Sequence, residues 1–216
     1  PGVLWVEYLD QATALDGRKK DQVEGKGALN NQITALIFER LSKAGVPSHF
    51  IKQLSPTEQL VQEVEIIPLE VVVRNLAAGS ISKRLGIPEG TPLKQPLVEF
   101  FLKDDDLGDP LLTDDHVRML ELASDTEIAE LKEKALVVNQ ALQSLFGDLG
   151  IDLVDFKIEF GRDKDGAILL ADEVSPDTAR LWDQETGEHL DKDVYRRDLG
   201  DLRDVYQVVL ERLQAN

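Results

Sequence analysis

Two strand-like runs, Leu153 to Phe160 and Ile168 to Val174, stand on either side of Asp165-Gly166. Asp-Gly between such runs predicts a tight hairpin, because both residues tolerate the positive φ of a reversed turn. Successive side chains of a strand point to opposite faces. Val154, Phe156, Ile158 and Phe160 therefore share one face, and Asp155, Lys157 and Glu159 the other. A two-residue turn would pair Lys164 with Ala167, set Glu159 opposite Asp172, and put Asp172 and Leu170 on the polar face. Three carboxylates around one lysine can hold a magnesium ion while the lysine reaches a phosphate. A solvated hairpin face is the simpler account of such a pattern. Against it, facing like charges are unfavourable unless a cation lies between them.

Other segments supply helices. Ile33, Leu36, Ile37 and Leu41 recur at helical spacing and predict a helix from about Leu29 to Ala44, stopped by Gly45. Ser124 and Glu127 form a capping-box pattern ahead of Ile128, Leu131, Leu142 and Leu145. A short helix is expected over Ala77 to Leu85 and a last one over Leu202 to Leu213. Leu4 to Leu9 reads as a strand and Asp16-Gly17 as a turn. Val61 to Val73 reads as one or two strands broken near Pro68, with Val71 to Val73 fully buried. Interspersed helices and hairpins give the α+β class.

The 216 residues carry a formal charge of -17, from 41 acidic and 24 basic side chains. That balance argues against a general affinity for nucleic acid or an anionic membrane, so an anionic ligand needs a place where the few cations converge. No run reaches the ~18 to 20 apolar residues of a membrane helix, and no secretory signal opens the chain. Zero cysteines exclude disulfides and thiolate chemistry and are consistent with a reducing compartment, making the cytoplasm the default location.

One place of convergence is Glu70 to Gly86, where a buried strand ends in Arg74-Asn75 and a turn with Gly79-Ser80 enters a helix. Backbone N–H groups at a helix start attract phosphate, and Arg74 adds a bidentate partner. A solvated strand-to-helix turn explains the pattern equally. Neither phosphate-loop spacing is present. Another is Ser175 to Asp183, where Arg180 follows the hairpin closely enough to bind an anion, or else stacks on Trp182. Lys103 to Asp106 reads as a solvated acidic loop, since an EF-hand beginning at Asp104 would have Asp109 where Gly is required. Lys26 and Gly27, with Asn30 and Asn31, form a polar cluster at the first helix start, and capping alone would explain the asparagines. His49, His116 and His189 are scattered and read as surface residues. Neither HExxH nor a G-x-S-x-G elbow occurs.

Taken in order, EGKGALNNQITALIF, TEQLVQEVEIIPLEVVVRNLAAGSISKRLG, FFLKDDDLGDPLLTDDH, DLVDFKIEFG, LLADEVSPDTARLWD and DKDVYRRDLGDL resemble the phosphoribosylaminoimidazole-succinocarboxamide synthase (SAICAR synthetase) family, from Glu24 to Leu202. The resemblance implies a two-lobed fold with an ATP cleft between antiparallel sheets. It implies an ATP- and magnesium-dependent ligase of purine biosynthesis that joins carboxyaminoimidazole ribotide to L-aspartate through an acyl phosphate. By matching motifs, Glu159 and Asp172 resemble the magnesium–ATP ligands, and Lys103 a lysine of the nucleotide site. Adenine is expected against Val64 to Pro68, around Ile66. Arg74, Ser80 and Arg180 resemble the ribotide-phosphate binders. Lys157 and Asp155 resemble residues near the reacting carboxylate and aspartate, with Asp16 beside them. Bacterial relatives suggest a homodimer.

Relatives usually begin with a short Gly/Lys hairpin over the ATP phosphates. Nothing precedes Pro1 here, so residues 1–66 are expected to form a smaller lobe without that hairpin, and residues 67–216 the larger one. Ala179 stands where many relatives carry Cys and should be harmless. Two alternatives stay open: a small-molecule kinase of similar architecture, which would not need aspartate, and a nucleotide-binding module that has lost catalysis.

Overall fold

A computed structural model describes residues 1–216. Its centre is the strand β10 (Ile151–Arg162), which pairs with β7 (Leu69–Leu76), β11 (Ile168–Ala171), β12 (Ala179–Asp183) and the short β6 (Glu65–Ile66), all antiparallel. Beyond β7 lie β8 (Pro92–Leu102) and β9 (Leu111–Leu112), completing a seven-stranded sheet. A second sheet of three strands has the order β1 (Val3–Glu7), β5 (Glu58–Gln62), β4 (Phe50–Gln53). A separate hairpin, β2 (Gln11–Ala14) with β3 (Lys19–Gln22), turns at Asp16-Gly17. The class is α+β, as expected.

The hairpin forms where the sequence places it, but with a different register. Arg162 pairs with Ile168 and Glu159 with Ala171. Asp163 N–H donates to Ala167 O at 2.9 Å, so the loop is Lys164-Asp165-Gly166, with Gly166 at φ 82. A three-residue loop ending in a left-handed glycine is a common alternative to the two-residue turn. The extra residue shifts every partner by one. Leu170 therefore faces Phe160 in the core and is 1% exposed, correcting its expected place on the polar face. Asp172 falls just beyond β11, at φ 54.

Helices cover the apolar face of β10. The capping box of α4 (Asp125–Asp148) is present, with Ser124 and Glu127 bonding each other's backbone N–H, a device worth about 1 kcal/mol. Ile128, Leu131, Val138, Leu142 and Phe146 from α4 join Phe156, Ile158 and Phe160 in one cluster of 40 buried residues. The same cluster takes Ile33 and Ile37 from α1 (Lys26–Lys43) and Tyr206, Val209 and Leu213 from α6 (Leu202–Ala215). Helix α1 begins three residues earlier than the periodicity predicts, at an N-cap, Gly25, that has no side-chain cap. Asn31 does not cap it. Its amide donates to the carbonyls of Ser55, Pro56 and Glu58, tying α1 to the turn before β5.

The expected break at Pro68 is present, and Val71, Val72 and Val73 are buried. Between Ala77 and Leu85 only Ser80–Leu85 is helical, as α2. No helix is long and apolar enough to cross a membrane.

Candidate active site

The register of β10 builds an ion cluster on its polar face. Asp155 is the direct cross-strand partner of Arg74 on β7 and of Arg180 on β12. A β-bulge between Leu153 and Asp155 brings Arg180 into line with the carboxylate, as bulges beside functional sites often do. Arg74 Nη1 donates to Asp155 Oδ2 at 3.3 Å, and Arg180 Nη1 to the same oxygen at 3.0 Å. Arg74 is held further by Glu99 Oε1 at 2.5 Å, Ala78 O at 3.1 Å and Ser80 Oγ at 2.9 Å. Arg180 Nε donates to Asp193 Oδ2 at 2.9 Å. Gly79 sits at φ 63 against this guanidinium, and a Cβ there would lie 2.5 Å from Arg180 Nη2.

Both arginines, Asp155 and Lys157 line a cavity of about 150 Å³ together with Thr178 and Arg196. Burial pushes the Asp155 carboxyl upward, while Arg180 and Arg74 draw it back. Burial opposes the charge on Arg180, but Asp155 and Asp193 more than offset it and raise its pKa. The stacking alternative for Arg180 does not hold: Trp182 packs instead on His189, ring centroids 5.3 Å apart.

Further along β10 the balance of charge reverses. Glu159 is 6% exposed and accepts from Lys103 Nζ at 2.9 Å. Burial raises its pKa, the Asp172 carboxylate raises it further, and Lys103 and Lys157 oppose both. Asp172 is raised by desolvation, with Lys103 and Lys157 lowering it and Glu70 adding to the rise. Glu70 accepts from Lys157 Nζ at 3.0 Å and is likewise raised by burial. The three carboxylates gathered near the lysines are thus Glu70, Glu159 and Asp172. Asp155 belongs to the arginines, which corrects the expected triad. The polar face is not a solvated one, since Asp155 and Glu159 are both buried.

A polar cavity of about 480 Å³ adjoins the arginine pocket through Lys157 and Arg196, and adds Lys20, Lys192, Asp16, Asp105 and Asp109. Asp16 is exposed at the tip of the β2–β3 hairpin, and Asp105 and Asp109 show that the acidic loop does more than meet solvent. A third cavity, about 310 Å³, lies between the small sheet and the loop after β11. Val6, Tyr8, Lys26, Asn30, His49, Val61, Asp172, Glu173 and Asp177 line it. Ile66 pairs with Gly161 at the end of β10, outside all three cavities.

Several participants were not assigned from the sequence. His49 is buried, not on the surface, with Nε2 3.0 Å from the Asp172 carbonyl oxygen. Lys26, named only as part of a polar cluster, donates to Asp177 at 2.6 Å. Lys192, Asp193 and Arg196 all lie in the DKDVYRRD segment, whose alternating charges were the available signal. His189, Asp191 and Asp193 also cluster, but Arg180 and Arg196 occupy the Asp193 oxygens and two backbone N–H groups those of Asp191.

This geometry agrees with what the chain matches. The SAICAR synthetase family model covers residues 1–213. The chain belongs to the SAICAR synthetase family. A phosphoribosylaminoimidazole-succinocarboxamide synthase of Lysinibacillus sphaericus is 60% identical over 213 residues, covering 99% of this chain and 90% of that protein. The crystal structure of the Ehrlichia chaffeensis enzyme superposes with a TM-score of 0.97 at 42% identity, covering 100% of this chain and 92% of that one. A SAICAR synthetase in complex with ADP gives 0.97 at 46% identity, over 99% and 91% of the two chains. As a member of this family the protein is an ATP-dependent ligase of purine biosynthesis that joins carboxyaminoimidazole ribotide to L-aspartate. The kinase and lost-catalysis alternatives are set aside accordingly.

Proposed function

We propose that β10 arranges the reaction along its length, with the ribotide phosphate at Asp155 and the nucleotide at Glu159. The observation that carries this is the spacing of two opposed charge environments on one strand. Four residues at about 3.3 Å each separate them by about 13 Å. Arg74, Arg180 and Ser80 form the anion-binding end, where two guanidinium groups offer bidentate donors to a phosphate. Lys103 and Glu159 belong to the ATP end. The adenine lies against the Val64–Pro68 link, around Ile66, where the chain passes from the small sheet to the large one. On this reading residues 1–66 and 67–216 form the two lobes of the cleft.

Glu159 and Asp172 fit magnesium. They offer hard oxygen donors, and burial raises both carboxyls, with the Asp172 charge raising Glu159 further. When bound there, the ion neutralises phosphate charge and polarises a phosphoryl oxygen. The remaining chemistry needs no protein nucleophile, in keeping with the absence of cysteine and of any triad. A carboxylate oxygen of the ribotide attacks the γ-phosphorus and ADP leaves, giving an acyl phosphate. The aspartate amine then attacks the acyl carbon, phosphate leaves, and the amine proton passes to phosphate or water. Lys157 stands between the two ends, in both polar cavities, and holds its charge against the developing oxyanion. Asp155 fixes both arginines, and Asp16 borders the cavity through which aspartate approaches. Catalysis is then mostly positioning and charge neutralisation.

The test is ADP release with ribotide, ATP and magnesium, with and without L-aspartate, on the wild type and on Lys157→Met. Release that requires aspartate, with the succinocarboxamide seen by mass and at least a hundredfold loss in the variant, supports the proposal. Release without aspartate, or a fully active Lys157→Met, contradicts it. A homodimer in the cytoplasm is the expected setting, read by light scattering and cell fractionation.

A further inference from the structure

The loop between β11 and β12 carries a residue of each charge environment: Asp172 opens it and Arg180 follows its end. Its interior is a small network. Thr178 N–H donates to Ser175 O at 2.9 Å, Ser175 Oγ to Glu173 Oε1 at 2.7 Å, and Asp177 N–H to Ser175 Oγ at 3.1 Å. Thr178 O accepts from the Lys157 N–H at 2.8 Å, and Pro176 O from the Lys192 N–H at 2.9 Å. The height of this loop therefore sets where Asp172, Lys157 and Arg180 stand relative to one another.

Two residues remote in sequence hold the loop by one side chain. Tyr206, fully buried on α6, donates its hydroxyl to Asp177 Oδ1 at 2.5 Å. Lys26, in the first turn of α1 and 6% exposed, reaches Asp177 Oδ2 at 2.6 Å and Gln11 O at 2.8 Å. Asp177 lines both the arginine cavity and the cavity between the small sheet and the loop after β11. A buried ion pair gains little stability over a well-packed apolar pair, because desolvation consumes most of the attraction. It does fix a geometry. Lys26 also sets a positive charge beside Asp177 and Glu173, which with Asp172 line one cavity.

We propose that Tyr206 and Lys26 are positioning residues for the ligase reaction, acting through Asp177 to hold the 172–180 loop so that both charge environments face the same reacting atoms. This rests on the site assignment proposed above. Neither residue needs to touch substrate. Tyr206 contributes one hydrogen bond, and Lys26 contributes a bond and a charge.

The test is steady-state kinetics on Tyr206→Phe, Lys26→Met and Lys26→Arg, with thermal melts and with Glu159→Gln run in parallel. Tyr206→Phe keeps the ring and loses only the hydroxyl. The expected result is a kcat at least tenfold lower, KM for ATP and ribotide within threefold, and a midpoint within about 2 °C of the wild type. Lys26→Met should lose more, and Lys26→Arg should recover at least half of that loss on a logarithmic scale. An unchanged kcat in both Tyr206→Phe and Lys26→Met would overturn the proposal. So would a kcat loss matched by the unfolded fraction at assay temperature in every variant. Should Tyr206→Phe fail to fold, the Lys26→Met and Lys26→Arg pair decides alone. If Glu159→Gln retains full turnover, the site assignment itself has failed. If it is inactive while Tyr206→Phe and both Lys26 variants are normal, only the positioning proposal has.

Discussion

The two ends of β10 differ in how fully their charges are satisfied. At Asp155 each cation has fixed partners: Arg74 meets Glu99, Ser80 and Asp155, and Arg180 meets Asp155 and Asp193. At Glu159 the carboxylates of Glu70, Glu159 and Asp172 outnumber Lys103 and Lys157, and all three titrate high. On the proposed assignment the first end is preorganised, so an arriving phosphate would find donors whose rotamers are already fixed, at little ordering cost. The other carries surplus negative charge, which on that assignment would lower its affinity for an anionic nucleotide unless a cation arrived with it. A single strand can thus present a site that is complete and a site that waits for a counter-ion.

The largest break in that comparison is expected from Asp172→Asn. It leaves one carboxylate fewer at the waiting end, and turnover should fall by about a thousandfold or more. The midpoint of unfolding should stay within about 2 °C, since Asp172 lies outside the core. Arg180→Lys attacks the complete end. An ammonium cannot reproduce the fork that meets Asp155 and Asp193, so ribotide KM should rise about 30-fold, near 2 kcal/mol. Turnover at saturation should change far less.

Gly79→Ala probes the same end through shape. The new Cβ must displace the Arg180 guanidinium, and the backbone sits at φ 63. Ribotide KM should rise about tenfold, with a stability loss of roughly 1 to 3 kcal/mol by urea unfolding. The smallest effect serves as a control at the far end of β10, where Arg162 binds Glu127 at 2.6 Å. Glu127 is drawn down to about 2, first by Arg162. A depressed carboxylate stabilises the fold above its unfolded pKa, near 4.5, and that contribution disappears as pH falls toward 2. Glu127→Gln should cost only about 0.5 to 1 kcal/mol at pH 7, given the exposure of the pair. It should flatten the acid limb of stability between pH 4.5 and 2 and leave kcat unchanged. A kcat effect there would mean that charge anywhere on β10 matters, and the contrast between its two functional ends would lose its meaning.

Local pattern announced much of this. The capping box at Ser124 and the alternation along β10 are short-range signals that form as read, and a hairpin turns where Asp-Gly marks it. The register of the hairpin was not legible, because two- and three-residue loops both accept Asp-Gly and differ by one position. The pairing of Asp155 with both arginines was out of reach for a similar reason. It depends on a bulge and on two strands, β7 and β12, about 80 and 25 residues from Asp155 in sequence. Asn31 looked like a capping residue because that is the commonest use of an asparagine near a helix start, and the partners of Asn31 and Lys26, the Ser55–Glu58 turn and Asp177, are long-range. The site residues named from motifs are largely gathered around β10, apart from Ile66 at its far end and Asp16 at the hairpin tip.

The most direct test is isothermal titration of ADP and of ribotide, each with and without magnesium, on the wild type and on Asp172→Asn. A waiting carboxylate pair predicts that magnesium tightens ADP binding at least tenfold in the wild type and under twofold in the variant, while ribotide affinity is the same in both. Equal magnesium dependence in the two proteins, or ribotide binding lost in Asp172→Asn, would contradict the division of β10 into a complete end and a cation-requiring one.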